Sequence, residues 1–406
     1  MATNIFTGDA QAVAQVNTET PANVEVGDVF TLKLTDQNGQ SGTISFTATA
    51  ATVKNVVEGL QPLAVAAKAG GQVPWNAVTC TEDDEVMTIT ADTAGRPFTV
   101  TATATNGGAA NTQTLTDASV TACAGPYIYS VADNWSLSAV PVATNDVIIP
   151  AGTSGYIYGY DASGVALNSF TVENGATVVI GHRDAPLQID LADSKAYYIG
   201  GTGTTHLKIT GASATVRVTQ AGSGSGSTGY GLNLSGGEAG MTIIIECAST
   251  GDRVGIAAVA GSTMTAPTVR VMGGTVKIGA GATVTTFYGA GGVADCDAGT
   301  TGFTTERAGT FSIGKAAAAT LLTVGSGTRL YYDSSGTVGA VHNSGIIDCS
   351  RTYLARTWTD TDLYKGSKLI DPYRTITHTN AVTLNRCGAE VLDKGSNFNI
   401  TVAAAS

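Results

Sequence analysis

The chain carries few side chains of the kind that do chemistry. Its histidines number four, His182, His206, His342 and His378, and none stands in an HExxH motif or a tight His/Asp cluster. No G-x-S-x-G elbow presents a nucleophilic serine. One turn, GHRDAP (181–186), groups a histidine, an arginine and an aspartate after a strand-like run. An acid/base pair beside a bound sugar would use such groups; an Arg–Asp pair that merely orders the turn is the plainer expectation. Polysaccharide-cleaving enzymes built on parallel coils need paired acids, or a metal plus a base, on one face. The candidates Asp184, Asp190, Asp193, Asp252, Asp295 and Asp297 follow no common period. The acidic run TEDDE (81–85) lacks the alternating ligands and turning glycine of a calcium loop, and reads as a solvated hairpin tip. The expectation is therefore a non-enzyme without metal or cofactor, with a polysaccharide depolymerase as the remotest alternative.

Tyrosines give the better binding signal. They gather as YIY (127–129), YIYGY (156–160), YY (197–198) and YY (331–332). Tyrosine offers a flat apolar face and a polar tip, suited to stacking on a sugar or to a subunit interface. Strand alternation would set Tyr156, Tyr158 and Tyr160 on one face. Tyr156, Tyr158, Tyr160, Tyr197, Tyr198, Tyr331 and Tyr332 are thus the candidate glycan or subunit contacts, with aromatic ladders in or between coils as the alternative.

The elements that would position them repeat one phrase, a short β-branched run, a small-residue turn and another run. It reads VENGATVVIG (172–181), HLKITGASATVRVTQ (206–220), LNLSGGEAGMTIIIECA (232–248), TVRVMGGTVKIGAGATVTTF (268–287) and LLTVGSGTRLYY (321–332). Short Val/Ile/Thr runs between Gly/Ser/Asn turns are strand signals, and their recurrence marks a stacked repeat. The expected fold is mainly β, a small α+β module followed by a right-handed parallel β-helix. With 51 glycines, 6% aromatics and 13% charged residues, the composition suits thin stacked β-layers and extensive subunit contact. A net charge of −11 disfavours nucleic acid, and no apolar stretch is long enough to span a bilayer. The six cysteines are widely spaced without CxxC pairs, as buried free thiols would be. MATNIFTGDA lacks the pattern of a secretory leader, so the chain is expected to be made and assembled in a cytoplasm.

Along the chain, residues 1–25 read as an N-terminal arm and 26–124 as an α+β module. In it DVFTLKL (28–34) and GTISFTA (42–48) form a hairpin across an Asn-Gly turn. A helix over 53–71 starts at Thr52 and stops at Gly70-Gly71, with Val56, Val57, Leu60, Leu63, Ala64 and Ala67 on its apolar face. Pro62 predicts a kink or a split. Strands at 76–80, 85–91 and 97–104 follow. Residues 125–350 are the solenoid, with Trp135 covering its open end; a sugar-stacking Trp135 is the alternative. Two Gly-rich segments, 221–231 and 289–309, are expected to be loops that bind or space subunits. Residues 351–406 read as a C-terminal cap or oligomerisation segment. Their 7 basic and 5 acidic groups, against 4 and 12 in residues 1–124, could dock on an acidic neighbour.

Residues 26–104 resemble a small module of tailed-phage and prophage structural proteins. GDVFTLKL, SFTATAATVKNVVEGL and MTITADTAGRPFTVTATAT carry the resemblance. The entry NWS…VP…DVIIP, which precedes β-helical coils in such proteins, accompanies it. The resemblance implies a virion component partnered by a major capsid or tail protein: a capsid decoration protein, a head fibre or a tail-associated adhesin for host glycans. It favours a homotrimer and supplies no functional residues.

Overall fold

Alternation of large apolar side chains with Thr and Lys in VFTLKLTD makes one face of that segment a core face. Phe30, Leu32 and Leu34 are indeed fully buried. The structure, a computed structural model, describes residues 2–224, 229–314, 317–385 and the strand Ile400–Val402. In the N-terminal module, Val29–Asp36 lies between Ser41–Thr47 and Phe98–Thr105, all antiparallel. A second sheet has the order Val78–Glu82, Met87–Ala91, Val16–Ala22 and Thr114–Thr121.

The helix Val53–Ala69 packs on both sheets and buries Val56, Val57, Leu60 and Ala64. The Thr52 hydroxyl accepts from the Asn55 amide at 3.2 Å. Pro62 does not split the helix. It sits on the exposed side, where water can hydrate the carbonyl its missing N–H leaves free. Leu63, expected on the apolar face, is 38% exposed.

The expected arm is instead woven into both parts of the molecule. Thr3–Ile5 pairs in parallel with Asp146–Ile149 of the solenoid, and Val16–Ala22 is an inner strand of the second sheet. Neither Val16–Ala22, broken by Pro21, nor Thr114–Thr121, with one buried residue, has the apolar alternation that announces a strand. Both are held by their neighbours rather than by their own pattern.

Beyond residue 146 the chain is a parallel β-solenoid of about twelve turns, reaching residue 385. Each turn lays a strand in register on its predecessor: Gly236 pairs with Met264, Thr286 with Gly302, so a turn takes 16 to 28 residues. Val147, Phe170, Tyr197, Val216, Ile243, Val269, Phe287, Phe303, Leu322 and Val341 form one inward column, all fully buried. Burying each such side chain contributes roughly 1.5–3 kcal/mol before conformational entropy is counted. Where Phe287, Phe303 and Phe311 crowd together, the neighbouring column shrinks to Gly289. A β-carbon there would stand 2.6 Å from the Phe311 ring.

Two boundaries differ from expectation. The Gly-rich segment 289–309 is no loop, because it contributes the strands Val293–Cys296 and Thr300–Thr305 to successive turns. The change of texture at Arg351 does not end the solenoid either. Arg356–Tyr364 stacks on Val338–Asn343, and Val382–Asn385 stacks on it in turn. Two of the longer side chains there point inward. Trp358 is fully buried edge-on to Tyr332, at 5.7 Å between ring centroids. Arg356 is buried and gives its guanidinium to the Tyr332 and Leu354 carbonyls and the Thr352 hydroxyl. Residues 386–399 and 403–406 of the expected C-terminal segment lie outside the described residues, as do 225–228 of the other Gly-rich segment.

Candidate functional site

The start of the solenoid is closed by aromatic rings. Trp135 is 2% exposed, edge-on to Phe6 at 5.2 Å and to Tyr129 at 4.9 Å, and its indole N–H donates to the Tyr129 carbonyl at 2.7 Å. These three residues continue the solenoid core, next to Val147 and Ile149. Asn134, fully buried, donates to the Gly125 and Ile128 carbonyls at 2.8 Å each and accepts from the Ala10 amide at 3.0 Å. The Asn-Trp pair thus ties the N-terminal segment to the first turn. A buried Trp135 has no face left for a sugar.

Beside this cap lies a groove of about 500 Å³, between the module and the solenoid. The module supplies Gln37, Asn38, Thr93 and Arg96; the solenoid entry supplies Tyr127, Tyr156 and Tyr158. The two aromatic repeats meet here because the Tyr158 amide donates to the Tyr127 carbonyl at 2.8 Å. The rings of Tyr156 and Tyr158 are nearly parallel, 22° apart with centroids at 6.4 Å, and Tyr127 stands edge-on to both at 6.2 and 6.0 Å. Burial raises the Tyr158 hydroxyl above the usual tyrosine range, while Arg96 pulls it back. Tyr156 is 53% exposed.

The candidate tyrosines are otherwise dispersed. Tyr160 stacks on buried Tyr129 at 5.6 Å, away from Tyr156 and Tyr158, because the strand Tyr156–Ile157 ends before alternation can align all three. Tyr197 is fully buried and its single O–H is shared between the Ile189 and Thr210 carbonyls, at 2.9 and 2.6 Å. Tyr332 is fully buried too, its hydroxyl on the Gly336 carbonyl at 3.2 Å. Neither can touch a ligand or a subunit. Tyr198 faces solvent and does not line the groove, and Tyr331 is held between the Arg329 and Arg351 guanidiniums, 5.0 and 3.2 Å from its centroid. Gln37, Asn38, Arg96 and Tyr127 are groove residues that reading the sequence missed as a site. The twin YIY segments were the only local signal for them.

Of the six acidic candidates only Asp295 and Asp297 come together. Asp252 accepts from the Ala221 and Gly222 amides, and Asp190 from the Thr210 hydroxyl. Asp295 and Asp297 share Lys277, at 2.5 and 2.6 Å, and Asp193 is exposed. In the GHRDAP turn Arg183 and Asp184 pair at 3.0 Å and His182 and Ala185 bridge across it, which accounts for the turn by local order. Burial lowers His206 beside it to about 4, so that ring is neutral near pH 7. TEDDE is an exposed tip between Val78–Glu82 and Met87–Ala91, folded by Asp83 accepting from the Glu85 and Val86 amides. No group of three or more His, Cys, Asp or Glu that could hold a metal occurs among the described residues.

No helix among the described residues is long and apolar enough to cross a membrane. No protein-family model matches the chain, and no curated protein and no solved structure shows significant similarity to it.

Proposed function

We propose that this chain is a structural, non-enzymatic component of a phage virion, a capsid decoration or head-fibre protein assembled in the host cytoplasm. Its N-terminal module would bind the major capsid or tail protein, and its solenoid would project from or lie along the particle as a homotrimer. One observation carries the reading: the module is locked to one end of a continuous parallel ladder rather than hung on a linker. The chain starts in the solenoid at Thr3–Ile5, builds the module, and re-enters the solenoid through Asn134 and Trp135. Such a joint passes force from an anchor to a stiff shaft. In-register backbone ladders and stacked β-branched layers resist local opening. The resemblance of residues 26–104 to phage structural modules points the same way.

Cross-linking of purified particles tests the orientation. Lys33, Lys54 and Lys68 of the module should link to another particle protein, whether or not Lys365 and Lys368 of the distal turns also do. Links formed only through the distal lysines would reverse the anchor and the shaft.

A further inference from the structure

We propose that the groove between the module and the solenoid is a saccharide subsite selective for an acidic sugar, one carrying a uronate or sialate carboxylate. This goes beyond the structural role and holds whatever particle the chain belongs to.

The groove has the ingredients in separate, complementary parts. At about 500 Å³ it lies within the size range of small-ligand sites. Its solenoid wall offers the faces and edges of Tyr127, Tyr156 and Tyr158, fixed by the Tyr158–Tyr127 backbone hydrogen bond. Apolar C–H faces of a pyranose stack on such rings, while the phenol tips reach its hydroxyls. The module wall offers the amides of Gln37 and Asn38 and the guanidinium of Arg96. Among the described residues none of these three side chains makes a hydrogen bond or an ion pair within the protein.

Arg96 sets the class of sugar. Every other lining residue is uncharged, so a lone guanidinium faces an aromatic groove with no carboxylate of its own. Arginine matches a carboxylate through two parallel N–H donors, which neither lysine nor an amide reproduces. A neutral sugar would leave that charge unmatched. A nucleic acid would meet a single cation on a chain of net charge −11. Because the walls come from two parts of the fold already locked together, little ordering is required on binding.

Saturation-transfer NMR on the full chain tests this, with trigalacturonate, a hyaluronan tetrasaccharide and sialyllactose as acidic probes. Maltotriose, chitotetraose and lactose are the neutral counterparts. At least one acidic probe should bind, and its neutral counterpart at least about tenfold more weakly. Arg96→Met should erase that preference, Arg96→Lys should keep part of it, and Tyr156→Ala should remove binding. Both side chains are exposed, so the variants should melt with the parent. If one does not, ligand-induced shifts of the Tyr127, Tyr156 and Tyr158 ring signals in the parent give the answer instead. The proposal is overturned if no acidic probe binds, if neutral probes bind equally and Arg96→Met changes nothing, or if no tyrosine ring of the groove responds.

Discussion

The ring of Tyr127 rests on the backbone of Gly155, close enough that a β-carbon at Gly155 would stand 2.8 Å from the tyrosine Cε1. Gly155 also has φ at +86°, a conformation that costs other residues about 1–2 kcal/mol. Gly155→Ala therefore combines strain with a clash. It should lower stability by about 1–3 kcal/mol in denaturant melts and displace the Tyr127 ring. An unchanged midpoint would mean the two aromatic segments are not in contact.

Tyr197→Phe examines the opposite placement. Its hydroxyl serves two buried carbonyls, so losing it should cost about 1–3 kcal/mol of stability. Saccharide binding should stay intact, because the residue lies inside the solenoid. Phe303→Ala, which removes a ring stacked on Phe287 at 4.3 Å, should cost about 3–5 kcal/mol.

The contrast between Tyr197 and Tyr198 shows where sequence reading stops. Short β-branched runs between small-residue turns made the solenoid legible, because a parallel ladder imposes the same demand on every turn. The helix end points were legible at Thr52 and Gly70 for the same local reason. Which tyrosine of a pair faces inward depends on register, and a shift of one residue swaps the faces. The groove was illegible because its walls come from residues 37–38, 93–96, 127 and 155–158, joined only by the packing of module on solenoid. Trp358 and Arg356 misled in another way, since large inward side chains looked like a change of domain.

Glu19 predicts a pH dependence. It is fully buried, neither carboxyl oxygen has a well-formed hydrogen bond, and Asp117 lies opposite it on the next strand. Burial, and then Asp117, push its carboxyl up to about 9 from an ordinary 4.5. Between those values the folded chain holds a proton that the unfolded chain has lost. This group's stability contribution is complete below pH 4.5 and declines toward pH 9, by at most about 1.4 kcal/mol per pH unit. Glu19→Gln should melt like the parent at pH 4.5 and higher than it at pH 8. Parallel pH profiles for the two proteins would contradict this.

The thiols should separate by burial. Cys80, Cys247, Cys296 and Cys349 are buried and free, and desolvation pushes each up to about 12. Cys123 is partly exposed and raised less. Because only the thiolate reacts, a disulfide reagent at pH 8 should label Cys123 in the native protein and these four buried thiols only after denaturation; the sixth, Cys387, lies outside the described residues. Mass mapping of labelled peptides reads the order directly, and native labelling of Cys296 or Cys349 would show the solenoid to be open.

The proposed role stands most directly on where the chain resides. Quantitative mass spectrometry of density-purified phage particles from the producing host should find it at a fixed copy number per particle, in multiples of three. Its absence from particles, with the protein recovered only from the soluble or cell-surface fraction, would contradict the virion reading.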